Sequence, residues 1–336
     1  MREFWSNSPR LIQAKSAIKS PPSNSTSTVP SDGTALTFLS VSVAVICMSG
    51  VQYLTRCIES LRRQQGAPEF EIVVASAPTI PDIEVVCRKF PEIRIVVNHG
   101  QRTPLELASL AVRKCSGDLI LVTKDHCVPR PDWVRIMLDA QREGRAVVGG
   151  RIEINPDASP TEWAYLFIDF FRYAMPLVAG PTSFLTVCNV AYKKNELDKI
   201  RGLWDNGFVE ATVNNELRTR FGALWLTPSS QVTMYRNISL RHAIYERYAY
   251  GRLFASSRLS RWSRAQRFVY AIGAPLLPVL LLGRMVRVAI GSRRNRSALV
   301  KSLGPLMLML LARCWGEWLG YVTGRCPPID DPAQMS

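Results

Sequence analysis

The sequence predicts an α/β fold in which a parallel, doubly wound sheet carries helices on both faces. Three observations support this. From residue 38 onward, short apolar runs alternate with amphipathic helical stretches, which is typical of such sheets. Each apolar run is short enough to be one buried strand. The chain has 336 residues, 47% of them hydrophobic, which is enough for a sizeable core and argues against a wholly disordered protein.

The elements of the first half follow in a regular order. Residues 1–37 include a stretch rich in Ser, Pro and Thr and are expected to be a disordered tether. The apolar, β-branched runs predict strands at 38–48, 70–75, 93–98 and 119–123. Apolar residues at helical spacing between these runs predict helices at 53–64, 83–90 and 104–115.

The second half is less regular. It predicts a strand at 146–154, helices at 161–173 and 213–221, and a strand at 224–227. Residues 38–240 are therefore expected to form one α/β domain, followed by a basic linking helix at 241–265.

The positive charge is concentrated in the C-terminal quarter. The whole chain has 42 Lys and Arg against 27 Asp and Glu, but residues 241–325 alone contain 15 basic and 2 acidic side chains. The charge by itself would suit a nucleic acid or an anionic lipid surface. The basic residues are interleaved with two very apolar segments, 268–283 and 303–312. Because a nucleic-acid-binding face is not so apolar, the sequence favours membrane lipids and argues against nucleic acid as a partner.

The two apolar segments are short for a bilayer, since 16 residues of helix rise about 24 Å against a hydrocarbon core of about 30 Å. Residues 266–325 are therefore predicted to be a hairpin of two Pro-broken helices that lie in the cytoplasmic leaflet, with 326–336 as a tail. Two buried helices of a soluble domain are the alternative. The N-terminus lacks the continuous apolar stretch of a signal peptide, so the domain is expected to face the cytosol.

The eight cysteines are scattered and include no C-x-x-C pair. Reduced, buried thiols are the expected state, rather than a zinc ribbon or a redox motif.

Polar residues follow the predicted strands at the points where the strands end. In doubly wound sheets ligands bind at the carboxyl ends of strands. The residues at those ends are Ser49, Ser76, Lys124, Asp125 and His126. A carboxylate and an imidazole could hold a divalent metal, Mg2+ or Mn2+, that neutralises a diphosphate. A helix cap beside a surface histidine would give the same pattern.

Residues 123–133, TKDHCVPRPDW, resemble the acidic-triplet region of family 2 glycosyltransferases of the GT-A fold. Three further stretches agree in order and spacing. VSVAVICMS at 41–49 resembles the first nucleotide-binding unit, CNVAYK at 188–193 resembles the acceptor-side segment, and EATVNNELRTRFG at 210–222 resembles the acid-bearing helix. The resemblance implies a GT-A doubly wound mixed sheet with C-terminal membrane-associated helices.

The chain also resembles a membrane-associated bacterial subgroup whose triplet reads Glu-Asp-His. YGRLFASSR at 250–258 and WGEWLGYVTG at 315–324 carry this resemblance to the C-terminus. It implies a membrane-bound, inverting glycosyltransferase at the cytoplasmic face of the bacterial inner membrane. Such an enzyme would move a sugar from a nucleotide-sugar donor to a lipid-linked or cell-envelope polysaccharide acceptor, with a divalent metal.

The resemblance also implies roles for single residues. Glu210 would be the catalytic base, although a helix N-terminal acid is the structural alternative. The donor and its diphosphate would contact Ser49, Ser76, Lys124 and Asp125, with Asp125 and His126 as metal ligands. Asn189 and Asn214 would lie on the acceptor side, although Asn189 could also be a turn residue. Asp125 and Glu210 are expected to face one cleft.

Three departures from the family pattern support a different class of protein. Ser76 stands where an Asp commonly reads the base, Lys124 stands at a triplet position where a protonated amine cannot bind metal, and Ala211 replaces a common Asp. A catalytically degenerate relative that acts as a nucleotide-binding or membrane scaffold is the alternative they motivate.

Overall fold

The structure is a computed structural model that describes residues 40–97, 103–174, 177–259, 268, 270, 272–273 and 276–323. The predicted tether at 1–37 and tail at 326–336 lie outside the described residues. The predicted linking helix and hairpin lie partly within them.

One mixed sheet of nine strands organises the described part of the chain. The strands are β1 Val41–Cys47, β2 Phe70–Ser76, β3 Arg94–Val97, β4 Leu119–Lys124, β5 Cys127–Pro129, β6 Arg145–Ile154, β7 Gly180–Thr182, β8 Val190–Lys193 and β9 Ala223–Met234. Their order is β3-β2-β1-β4-β8-β6-β9-β5, with β7 also paired to β9. β1 pairs in parallel with β2 and β4, and β2 with β3, so the first half is the predicted parallel sheet. β8 runs antiparallel between β4 and β6, which makes the whole sheet mixed.

Helices cover both faces of the sheet. They are α1 Val51–Arg62, α2 Ile83–Lys89, α3 Pro104–Lys114, α4 Trp133–Asp139, α5 Pro160–Phe170, α6 Lys194–Asp198, α7 Glu210–Phe221, α8 Leu240–Leu259, α9 Leu277–Ala289 and α10 Arg293–Thr323. Short 3-10 turns add Phe171–Tyr173 and Arg201–Leu203. α3 and α5 begin with capping boxes at Thr103 and Ser159, each followed by a proline that suits the first helical position.

Successive side chains of β1 point alternately into two separate hydrophobic cores, one on each face of the sheet. Val43 and Val45 pack into one core, and Ala44 and Ile46 into the other. All seven residues of β1 are buried, as expected for a strand with helices on both faces. This packing fixes the carboxyl end of β1, where polar residues gather.

The second half departs from the prediction in its short strands. β5, β7 and β8 have only three or four residues each, too few for a hydrophobic pattern to mark them. β9 continues to Met234 instead of ending near residue 227, because its far half pairs with β5 and with the end of β6. α7 begins at Glu210, three residues before the predicted start.

The C-terminal helices also differ from the predicted pair of Pro-broken helices. The second apolar segment is the middle of α10, a continuous helix of 31 residues with Pro305 inside it. A proline removes one helical hydrogen bond, but α10 packs along α8 and α5, and this tertiary packing sustains the helix. Arg294 ties its start to the sheet through an ion pair with Glu153 at 3.3 Å.

The described cysteines are free thiols, as predicted. Cys47, Cys57, Cys115, Cys127, Cys188 and Cys314 are buried, and Cys87 is exposed.

Candidate active site

The carboxyl ends of β1, β2 and β4 meet at one edge of the sheet, and the predicted polar residues lie there. Parallel pairing places Cys47 beside Ser76 and Ile46 beside Lys124. The backbone N–H of Asp125 donates to the carbonyl of Ile46 at 3.0 Å, so the turn after β4 is tied to β1. The polar residues predicted at the strand ends are therefore close together in the structure, at the edge where ligands bind in such sheets.

Asp125 is the centre of this cluster and is only 1% exposed. Its Oδ2 accepts hydrogen bonds from the backbone N–H groups of Met48 and Ser49, at 2.8 and 2.5 Å. Its Oδ1 accepts from the Ser49 hydroxyl at 2.9 Å and from the His126 backbone N–H at 2.9 Å. Burial alone would raise the pKa of Asp125, but the hydrogen bonds from His126, Ser49 and Met48 outweigh it and lower that pKa.

His126 is held against Asp125 by one ring nitrogen. Its Nδ1 lies 3.1 Å from Asp125 Oδ1 and 2.9 Å from the Ser49 hydroxyl. Burial lowers the pKa of the imidazole, although the Asp125 carboxylate opposes that shift. Among the described residues, the other nitrogen, Nε2, makes no hydrogen bond. A neutral ring held in this way presents one free lone pair.

We expect Asp125→Asn to lower the free energy of unfolding by about 2 kcal/mol, because an amide cannot accept every bond that the carboxylate accepts and buried donors lose their partners. Thermal unfolding of the purified full chain measures this. Asp118→Asn is the control, since that exposed carboxylate bonds to Ser40 at the other end of the sheet. Equal unfolding temperatures for both variants would contradict the expectation that the hydrogen bonds of Asp125 stabilise the fold.

Lys124 is the last residue of β4 and is half-buried. The charges of Cys188 and Glu210 raise the pKa of the Lys124 ammonium, although its burial works in the opposite direction. The end of β4 and the start of α7 are linked through residues 187 and 188, because the Thr123 hydroxyl donates to the Cys188 carbonyl at 3.0 Å and the Val187 backbone N–H donates to Glu210 at 2.8 Å. The expectation that Asp125 and Glu210 face one cleft stays a prediction.

Glu210 is half-buried at the N-terminus of α7 and is held in a fixed position. Burial raises its pKa, and the backbone N–H of Val187, which donates to Oε2 at 2.8 Å, partly opposes the shift. One helical turn later, Asn214 donates to the Leu185 carbonyl at 3.2 Å and accepts from the Tyr192 hydroxyl at 2.9 Å. The first turn of α7 thus holds the segment 185–188, and Asn214 supports that segment from within the core.

Asn189 is 1% exposed, and both ends of its amide are bonded inside the protein. Its Oδ1 accepts from the Trp133 indole at 2.8 Å, and its Nδ2 donates to the carbonyls of Arg151 and Ser230, at 2.8 and 3.2 Å. The geometry gives Asn189 a bracing role between β6, α4 and β9. Its predicted contact with an acceptor stays a prediction.

Ser76 is fully buried at the end of β2, and its hydroxyl donates to the Ala77 carbonyl at 3.2 Å. Its predicted contact with the donor likewise stays a prediction.

Two arginines pack on Tyr165 near the end of β9. The guanidinium groups of Arg236 and Arg247 lie 4.4 and 4.6 Å from the ring centre of Tyr165, and both donate to its hydroxyl. Arg247 pairs with Asp169 and is buried, while Arg236 pairs with Glu246 at 2.5 Å. Arg236 follows β9 by two residues, so the strand-end rule could have marked it. Because each arginine is paired with a carboxylate, this group of side chains is close to neutral, and it joins the end of β9 to α5 and α8.

The comparisons with known proteins agree with this fold. The family described as Glycosyl transferase family 2 matches residues 42–201. No curated protein matches the sequence.

Several solved structures share the fold at low sequence identity. A mannosyltransferase from Pyrobaculum calidifontis, solved with GDP-Man and Mn2+, is 12% identical over 82% of this chain and 86% of its own, with a TM-score of 0.51. TarS 1-349 from S. aureus, solved with UDP-GlcNAc, is 13% identical over 85% of this chain and 93% of its own, with a TM-score of 0.47. GalNAc-T7, solved with UDP, GalNAc and Mn2+, is 16% identical over 59% of this chain, with a TM-score of 0.45, and the match spans only 44% of the GalNAc-T7 chain.

Proposed function

We propose that this chain, whose residues 42–201 belong to glycosyl transferase family 2, is a membrane-bound inverting glycosyltransferase. It takes the sugar from a nucleoside-diphosphate donor and transfers it to a lipid-linked or cell-envelope polysaccharide acceptor. The resemblance to a bacterial subgroup supports the cytoplasmic face of the inner membrane as its place of action. The observation that carries the proposal is the family match over residues 42–201 together with the buried, hydrogen-bonded Asp125 and His126 at the edge where the strands end.

The site supplies the groups that an inverting transfer needs. The Glu210 carboxylate takes the proton of the acceptor hydroxyl as that oxygen bonds to the anomeric carbon from the face opposite the diphosphate. The bond between the anomeric carbon and the diphosphate oxygen breaks, and negative charge leaves on the diphosphate. The Lys124 ammonium offsets this charge. The hydrogen bond from Val187 to Glu210 keeps the base in line with the reacting carbon.

The residues at the cluster fit a divalent cation through His126. Five donors already occupy the Asp125 oxygens, so that carboxylate orients the imidazole, whereas Nε2 of His126 is free to bind. A cation of the Mg2+ or Mn2+ type would take its remaining ligands from the diphosphate and water, and it would supply positive charge at the leaving group.

The test uses the full chain in lipid vesicles with nucleoside-diphosphate sugars, with and without Mg2+ or Mn2+. A thermal-shift screen identifies the donor that binds, and release of nucleoside diphosphate measures turnover. We expect metal-stimulated turnover with at least one donor. Binding without turnover of any donor or acceptor would instead support the catalytically degenerate scaffold, which Lys124 and Ala211 motivate.

The exposed faces of α9 and α10 support the membrane part of the proposal. Of the described helices, α10 alone is long and apolar enough to cross a membrane by length and composition, and 39% of its most apolar window is buried inside the protein. Large apolar side chains on both helices face solvent, among them Val279, Leu280, Val300, Leu311 and Trp315. Because α8 and α5 cover its other side, α10 suits a position along the membrane surface better than an isolated crossing.

We expect the double substitution Val300→Glu and Leu311→Glu to weaken binding to anionic lipid vesicles about 100-fold, because two large apolar groups lose their contact with the acyl chains. Vesicle flotation measures the bound fraction. Val85→Glu is the matched control, since Val85 is 46% exposed on α2 of the catalytic domain. If the double variant floats with the vesicles as well as this control does, the assignment of these exposed faces to lipid binding is wrong.

A further inference from the structure

Three soft metal ligands meet beside the candidate active site. One ligand atom each from His126, Cys127 and Cys188 lies within 4.8 Å of the other two, and all three residues are buried. Cys127 is the first residue of β5, and Cys188 lies two residues before β8. The site therefore brings together two segments that are 61 positions apart in the chain.

The local structure is already arranged for metal binding. The sulfur atoms of Cys127 and Cys188 lie within 4.8 Å of each other in the buried part of the protein. The hydroxyl of Thr123 donates to the Cys188 carbonyl at 3.0 Å, which fixes the backbone of that residue. His126 gives Nδ1 to Asp125 and Ser49, which is the arrangement that carboxylates impose on metal-binding histidines.

We propose that His126, Cys127 and Cys188 form a binding site for a thiophilic cation of the Zn2+ class. Zn–S bonds of about 2.3 Å and Zn–N bonds of about 2.0 Å put tetrahedral ligand atoms about 3.5 to 3.8 Å apart. The observed spread of up to 4.8 Å therefore needs side-chain movements of about 1 Å. Three protein ligands leave a fourth position for water.

The charges around the site are compatible with a bound cation. Two thiolates balance the charge of a divalent ion, and the buried Asp125 carboxylate adds negative charge against the imidazole of His126, 3.1 Å from its Nδ1. Sulfur ligands select Zn2+ and related soft ions over Mg2+ and Mn2+, which prefer oxygen. This site is therefore chemically distinct from a donor-linked magnesium or manganese position, although both would use His126.

A cation bound here would join the turn that carries Lys124 and Asp125 to the segment before β8. That segment is also the one held by Glu210. Occupancy would fix the spacing between the two walls of the cleft. This property does not depend on transferase activity, so it can be measured on a protein that transfers nothing.

The test uses the metal-free full chain in detergent with a phosphine reductant, titrated with Co2+ and then Zn2+. Cys87 and Cys326 are first changed to Ser, because Cys87 is exposed and Cys326 lies outside the described residues. We expect one equivalent of Co2+ to give the thiolate-to-cobalt charge-transfer absorption, and Zn2+ to displace it and raise the Tm.

Cys127→Ser and Cys188→Ser should each weaken binding about 100-fold or more, since one of three ligands is lost. Cys115→Ser is the matched control, because Cys115 is a buried free thiol that bonds to the Ala111 carbonyl away from the site. If a Ser variant fails to fold, Cys188→Ala and His126→Gln allow the same comparison. Charge-transfer absorption that survives loss of Cys127 and of Cys188, or that falls equally in Cys115→Ser, would overturn the proposal.

Discussion

Glu210→Gln is expected to lower kcat about 1,000-fold while donor binding stays unchanged, because the amide cannot take the acceptor proton. The shape of the site should survive, since the new amide oxygen can still accept from the Val187 backbone N–H. Initial rates over a range of donor concentrations give kcat, and thermal shift or calorimetry gives donor affinity. A loss that appeared in donor affinity alone would assign Glu210 to binding rather than to chemistry.

Glu216→Gln is the matched control for this prediction. It removes a carboxylate from the same helix, but that side chain pairs with Arg220 on the outer face of α7. A surface pair of this kind contributes little to stability, so activity and Tm should both stay near wild type. A fall in activity equal to that of Glu210→Gln would show that the whole helix, and not the base, was disturbed.

The pH dependence of transfer follows from the same residue. Burial raises the pKa of Glu210 above its usual range, and the base works only when it is deprotonated. The rate kcat/KM should therefore fall as the pH drops through this raised pKa, at a higher pH than for an ordinary glutamate. The acid limb should disappear from the small residual activity of Glu210→Gln. An acid limb at the same pH in both proteins would assign it to another group.

The parallel half of the fold could be predicted because its strands are buried on both faces. Such strands are continuous apolar runs, and the helices between them keep a clear period. The antiparallel half could not be predicted in the same way. β7 and β8 are defined by partners that are distant in the chain, and three or four residues have no period of their own. The continuity of α10 could not be predicted for a different reason. Pro305 suggests a helix break in the sequence, but the packed helix continues through it.

The candidate site shows the same division between local and long-range information. Ser49, Lys124, Asp125 and His126 could be found because each lies at the end of a strand or within two residues of it. Their partners could not, since Cys188 and the backbone N–H of Tyr235, which donates to the His126 carbonyl, come from segments far along the chain. Sequence alone also could not show that Asn189 is bonded on both sides of its amide, because Trp133 and Ser230 supply those bonds from other elements.

Gly316→Leu is expected to lower the free energy of unfolding by at least about 3 kcal/mol, or roughly 6 to 10 °C in Tm, by forcing α8 and α10 apart. A Cβ at Gly316 would meet the backbone carbonyl of Tyr248, and a Cβ at Gly251 would meet the carbonyl of Arg313. The two helices therefore touch through their backbones on both sides. A leucine has no rotamer that avoids a backbone atom, so the helices must separate and lose their shared contacts.

Gly283→Leu is the control, because Gly283 is exposed on α9 and a Cβ there has open space. It should leave the Tm unchanged or raise it slightly, since leucine favours a helix more than glycine does. Thermal unfolding of both variants in the same detergent makes the comparison. The expected difference is a property of α8 and α10 themselves, because Gly316 and Gly320, four residues apart on α10, let that helix approach α8 closely. A Gly316→Leu protein as stable as Gly283→Leu would mean that the two helices do not touch as the structure shows.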